Sequence, residues 1–379
     1  MGSISAKTCL AGDRIVDINA CPGGALLLER SLLNISIEVR SEDKPFLEFV
    51  DWNLPRGSSG AVEEENVKLA CSFLGYRTFF SRDPHRSSKF WEVQDPILVS
   101  AGVYLDDRSI CWKSRRMEIQ ANEHLPRTQH GLAVRGTFYE RPDHTLRRVL
   151  LRQKTYKYNN YQVVMRALIY SPLFWLAERH QGRYLLHAAG VERDGRGVIL
   201  TGLNGVGKTS LALSMAQRGY SFLGDNYLLF DEDTVYAFPE AIRLPDEMVQ
   251  TLGLEPIAGP KLFGKRIVPA TQLDLVSQMD PHLFLLVVRG PRTLLRTLDL
   301  DTALEIVCAQ ADYLGEGPEH TYTGLAMLQN PFRCSDTVRW VKKLQATRAL
   351  LSRCKVGYLQ LGETEPIGRA IEMIEQFQG

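Results

Sequence analysis

One eight-residue run, Gly202-Leu203-Asn204-Gly205-Val206-Gly207-Lys208-Thr209, constrains this chain more than any other stretch. It has the spacing of a phosphate-binding loop, in which glycines let successive backbone N–H groups point at an anion while the next helix turns its positive end to the same group. The flanks fit. Gly197-Val198-Ile199-Leu200-Thr201 is apolar and β-branched, and Ser210 to Arg218 has helical periodicity. In such a loop the lysine reaches the β and γ phosphates and the hydroxyl after it holds Mg²⁺, which assigns Lys208 and Thr209. Asn204, Gly205, Val206, Gly207 and Ser210 complete the expected nucleotide contacts. The loop alone does not choose between kinase, ATPase and GTPase.

Its neighbours narrow the choice. Arg218-Gly219 leads through a short apolar run to Gly224-Asp225-Asn226, which delivers an acidic residue beside the loop. Asp225 is a candidate catalytic base or metal ligand, and Asp-Asn is also a common turn pair. His187 closes the apolar stretch Tyr184-Leu185-Leu186, and a lone histidine there is equally a core residue with a satisfied ring.

Taken in order, Leu186-His187-Ala188-Ala189-Gly190, the loop, Arg218-Gly219 and Gly224-Asp225-Asn226 resemble the HPr kinase/phosphorylase family over roughly residues 180 to 245. The resemblance implies an α/β (α+β) fold related to phosphoenolpyruvate carboxykinase, with ATP and Mg²⁺ as cofactors and transfer of the γ-phosphoryl group to a serine of a protein. By resemblance, Asp225 accepts the proton of the attacking hydroxyl, His187 supports the site, Lys208 stabilises the transferring group and Thr209 binds Mg²⁺. Glu240-Ala241-Ile242-Arg243 is similar to a family glutamate and arginine, which makes Glu240 a second metal ligand and Arg243 a phosphate clamp, or else the two an exposed ion pair. Lys265 and Arg266 lie where the family has a mobile basic loop, and are otherwise a solvated turn. The family usually has two adjacent aspartates where this chain has Asp225-Asn226. Peptide kinases of natural-product pathways, those of lasso peptides among them, share this core by resemblance. HPr kinases are hexameric, so a homo-oligomer is compatible with the likeness.

At 379 residues the chain exceeds the usual size of one core, and two domains are expected. Residues 1–157 carry short runs such as Ile35–Val39, Phe46–Val50 and Gly102–Leu105 between Pro, Gly, Ser and Asp clusters, and read as a strand-rich domain with an edge that an incoming peptide would extend. Residues 158–379 read as the P-loop domain, opening on a buried helix across Tyr161 to Arg179 that Ser171-Pro172 interrupts. Later strands are expected at Tyr220–Phe230, Leu283–Val288 and Gly357–Leu361, and helices at Thr302–Leu314, Asp336–Leu351 and Glu365–Phe377.

Formal net charge is +1, from 45 Lys plus Arg against 44 Asp plus Glu, so no global field draws the chain to nucleic acid or to an anionic membrane. No apolar run reaches the ~20 residues of a membrane helix. Seven scattered cysteines without a C-x-x-C pair fit a reduced cytoplasm. The reading is therefore a Mg-ATP-dependent kinase. Its acceptor is a serine of a peptide or small protein, or a small-molecule hydroxyl. The alternative is a protein that binds nucleotide as a switch without transferring phosphate.

Overall fold

The computed structural model describes residues 15–16, 26–32, 35–54, 67–78, 97–100, 103–106, 109–113, 117–122, 130–140, 153–259, 261–314 and 335–378. Among them, nine strands form one sheet in the N-terminal part. These are β1 (Ile15–Val16), β2 (Leu26–Leu32), β3 (Ile35–Ser41), β4 (Val67–Thr78), β5 (Ile97–Ser100), β6 (Val103–Asp106), β7 (Ser109–Lys113), β8 (Met117–Asn122) and β9 (His130–Glu140). Their spatial order is β1-β2-β3-β4-β9-β8-β7-β6-β5, with β3, β4 and β9 parallel at the centre. Ile35, Ile37 and Val39 are buried in the alternation that a strand with one covered face requires.

Phe46–Val50, read from sequence among the strands, instead belongs to a helix, α1 (Lys44–Asn53). Asp43 caps it by accepting from the Phe46 N–H, Pro45 occupies its first turn, and Phe46, Leu47, Phe49, Val50 and Asn53 bury one face. Local capping and a 3.6-residue stripe outweigh the β propensity of the aromatic residues here.

The buried helix is present as α2 (Gln153–Met165) and α3 (Ser171–Gln181), joined by one wide π turn over Arg166–Tyr170. Pro172 explains the widening. It has no N–H for the carbonyl four residues back, and Cys71 Sγ donates to that Leu168 oxygen instead at 3.1 Å. The boundary expected between 157 and 158 falls inside α2. Tyr161, Val164, Met165 and Leu168 share one core with Phe46, Leu69, Val134 and Phe138 of the N-terminal elements.

The remaining strands are β10 (Tyr184–Leu186), β11 (Ala188–Arg193), β12 (Arg196–Thr201), β13 (Ser221–Gly224), β14 (Leu228–Phe230), β15 (Val235–Tyr236), β16 (Ile242–Leu244), β17 (Arg266–Val268), β18 (Gln278–Met279), β19 (Pro281–Gly290), β20 (Leu294–Thr297) and β21 (Lys355–Gly362). The helices are α4 (Lys208–Ala216), α5 (Asp246–Leu252), α6 (Leu300–Leu314), α7 (Ser335–Arg353) and α8 (Ile367–Gln378). A six-stranded sheet runs β13-β11-β12-β19-β21-β20, with β12, β19 and β21 parallel, beside a four-stranded sheet β10-β14-β15-β18 and the pair β16-β17. Both faces of the larger sheet are covered. Val198 and Leu200 of β12 join the core under α4 and α8, while Ile199 between them joins the core under α6 and α7. This is a mixed α/β architecture, and it aims the end of β12 at the glycine loop. Among the described residues no helix is long and apolar enough to cross a membrane.

Candidate active site

Gly202, Gly205 and Gly207 have φ of 144°, 82° and 106°, conformations that side chains rarely adopt. At Gly202 the demand is also steric, since a Cβ there would lie 2.3 Å from the Val287 carbonyl oxygen of β19. Gly207 caps α4 without a side chain to bond the first-turn N–H groups, which leaves those donors to an anion. Lys208 lies under the loop, 6% exposed, and its Nζ donates to the carbonyls of Gly202 at 2.7 Å and Leu203 at 3.0 Å. Burial draws its ammonium down to about 8, against the opposing pull of Asp225.

The β13–β14 turn delivers Asp225 to the loop. The sequence leaves Tyr220–Phe230 as one strand, but Asn226 takes a left-handed φ of 69° and breaks it in two. Asp225 is 4% exposed, and its Oδ2 accepts from the Thr209 hydroxyl at 2.8 Å. Its Oδ1 is buried with no hydrogen-bond partner. Burial raises the carboxyl above its ordinary value, the Thr209 hydrogen bond lowers it, and Glu240 nearby raises it further. Glu240 stands behind the turn at 3% exposure, and its Oε1 accepts from Asn226 Nδ2 at 2.8 Å and from Arg243 at 2.9 Å. His187 follows β10 and presents a buried Nε2 with no partner. Burial brings its imidazole down to about 4, Lys208 adds to the fall, and the Asn226 backbone and Asn204 side chain oppose it. At neutral pH it is uncharged.

These groups open onto a cavity of about 510 Å³. Asn204, Lys208, Thr209 and Ser210 line it from the loop, and His187, Asp225, Arg243 and Lys265 from outside it. Among the described residues no group of three His, Cys, Asp or Glu side chains is spaced to hold a metal by itself. The Thr209 hydroxyl and the Asp225 carboxylate are hard oxygen donors, one of them with a buried orphan atom, and they suit a Mg²⁺ that takes its other ligands from phosphates and water.

No family model matches the chain. The HPr kinase/phosphorylase of Lactobacillus acidophilus is 34% identical over 104 residues, 27% of this chain and 32% of that protein. That of Lactobacillus delbrueckii subsp. bulgaricus is also 34% identical over 104 residues, and that of Limosilactobacillus reuteri is 29% identical over 111. Over this stretch the chain is similar to HPr kinases/phosphorylases. It spans about one third of the length of these relatives. A solved Hpr(Ser) kinase/phosphatase from Coxiella burnetii aligns with 35% of this chain at 18% identity and a TM-score of 0.20, a likeness too slight to bear on the fold.

Three of the expected contact residues stand outside the cavity wall. Val206 packs on the core between the six-stranded sheet and α4. Arg266 turns away because its Nε donates to Asp246 at 2.8 Å, beside the Lys261–Asp246 ion pair. Glu240 lies behind Asn226. Conversely, Arg166 from the π turn, Arg289 from β19 and Lys343 from α7 line the cavity without having been singled out in the sequence. Arg166 did leave a signal, as the one charged residue between Tyr158 and Ala177.

Proposed function

We propose that this chain is a Mg- and ATP-dependent phosphotransferase of the cytoplasm that moves the γ-phosphoryl group to a hydroxyl. A serine of a peptide or small protein is the first acceptor class and a small-molecule hydroxyl the second. Asp225 carries the reading, since it is a buried carboxylate with one oxygen on the loop's Thr209 hydroxyl and the other without a partner. The loop amides and Lys208 hold the triphosphate, and Thr209 with Asp225 would hold Mg²⁺. When bound, that ion neutralises charge on the phosphates. Asp225 takes the proton of the acceptor hydroxyl as the new O–P bond forms and the bond to the β-phosphate oxygen breaks. Neutral His187 gives a hydrogen bond without adding charge. Glu240, engaged by Asn226 and Arg243, orients Arg243 toward the transferred group. Lys265, on its glycine-containing turn, supplies further positive charge to the phosphates. The outer strands β1 and β5 are edges that an extended peptide can join.

Incubation with γ-labelled ATP, Mg²⁺ and serine peptides or a metabolite extract tests this. Label is expected in an acceptor, and label found only in free phosphate would overturn the assignment. Asp225→Asn is expected to lower transfer by about 10²- to 10⁴-fold while nucleotide still binds, and Lys208→Ala to weaken both. Normal turnover by Asp225→Asn would remove it as the base.

A further inference from the structure

Among the described residues six cationic side chains line the cavity, Arg166, Lys208, Arg243, Lys265, Arg289 and Lys343, against a single carboxylate, Asp225. They do not all serve one ligand position. Lys208 is within the loop, and the Arg289 guanidinium lies 3.1 Å from where a Cβ on Gly207 would stand, so both belong with the nucleotide tail. Arg166 lies apart. It comes from the helix that joins the N-terminal core, and it sits close enough to His187 for its charge to depress that imidazole. His187 in turn adjoins Asn226, next to the Asp225 carboxylate. Arg166 therefore shares one cavity wall with His187, Asn226 and Asp225.

Its setting is unusual in two further ways. Met165, Ala167, Leu168, Ile169 and Tyr170 around it are all buried, so the π turn exposes this one side chain and turns it into the cavity. The turn is fixed at that point, because the Ser171 backbone N–H and hydroxyl both bond the Arg166 carbonyl, the hydroxyl at 3.0 Å. Among the described residues no carboxylate pairs with the Arg166 guanidinium. A lone arginine held in place on a cavity wall, without an internal counter-ion, is built for an external planar anion.

Building on the kinase reading, we infer that Arg166 is an acceptor-recognition residue, and that the acceptor carries an anionic group, carboxylate or phosphate, close to the hydroxyl that is phosphorylated. This narrows both acceptor classes. In a peptide the serine has an acidic neighbour, and a small-molecule acceptor is a hydroxy acid or a sugar-phosphate-like compound.

The test fills the loop of the full-length protein with Mg²⁺ and a non-hydrolysable ATP analogue, then titrates three probes by calorimetry. The probes are glycerol 3-phosphate, a glutamyl-seryl dipeptide with blocked termini, and glycerol. The wild type is expected to bind at least one anionic probe and not glycerol, and which one it binds separates phosphate from carboxylate recognition. Arg166→Gln is expected to weaken that binding about 10-fold or more, a loss typical of a missing charge-assisted pair, and Arg166→Lys to restore part of it. Retained analogue binding reports a folded loop in each variant. If neither anionic probe binds, if glycerol binds as well as they do, or if Arg166→Gln holds the anion as tightly as wild type, the inference is overturned. Failure of the wild type to bind the analogue would instead sink the nucleotide reading on which it rests.

Discussion

The Lys208 ammonium, drawn down to about 8 by burial, is the most informative single group in the loop. A triphosphate placed beside it favours the charged form, so its pKa is higher in the complex than in the free protein. Below about pH 8 the side chain is already protonated and binding moves no proton on its account. Above that value binding must take one up, and affinity falls as pH rises until the higher pKa of the complex is passed. Calorimetry near pH 9 in two buffers of different ionisation enthalpy is expected to register an uptake that is absent near neutrality. Affinity that stays level through this range would mean the ammonium is charged throughout. That Lys208, Thr209 and Asp225 meet was legible in the sequence, the first two from the fixed spacing of the loop and Asp225 from the short apolar run that leads back to it. The Asn226–Glu240–Arg243 cluster was only half legible, since burial turns what reads as a surface ion pair into a carboxylate held by two donors. Arg166 was missed because its local mark, a lone charge in an otherwise uncharged helical stretch, does not say which cavity folding will bring it to.

Elements are governed by different constraints. The loop, β12 and α4 could be read because glycine spacing and a switch of hydrophobic period are local signals. α1 could not, since Phe46-Leu47-Glu48-Phe49-Val50 suits either period and the Asp43 cap decides it. The π turn was equally hidden. Pro172 announces an interruption, but its form depends on Cys71 reaching Leu168 from another strand. The loop's dependence on β19 can be tested at Gly202. Alanine there meets the Val287 carbonyl and a φ of 144° at once, and neither backbone can yield without shifting a central strand. Gly202→Ala is expected to cost about 2 kcal/mol or more in chemical denaturation and to lose nucleotide binding. Gly219→Ala is the control, because it has a φ of 87° but open space around its Cβ position, and so carries conformational strain without a clash. Equal losses in the two variants would show that strain alone is responsible.

At the scale of the whole molecule, length and the change of pattern near residue 157 suggest separate units, while the core runs across that point. Phe46, Phe49, Leu69, Val134 and Phe138 surround Tyr161, Leu168 and Tyr170 in one cluster that continues to Leu229, Phe238 and Ala241 beneath the site. Such packing joins residues more than a hundred positions apart, which no local period encodes. Tyr170 makes the link polar as well, donating to the Asn53 carbonyl at 3.1 Å from a position near enough to Glu240 for that carboxylate to raise its phenol beyond the effect of burial. Glu240 in turn holds Asn226 and Arg243. Burial of each large apolar side chain is worth about 1.5–3 kcal/mol, and a typical domain is stable by only about 5–15 kcal/mol, so stripping this many partners removes more than a domain has to spare. A fragment of residues 153–379 is therefore expected to aggregate or to melt without a cooperative transition, and to lose Mg·ATP binding, whereas the full chain gives one calorimetric transition. A soluble fragment with a sharp melt and the nucleotide affinity of the full chain would mean that the N-terminal sheet lends the site no support.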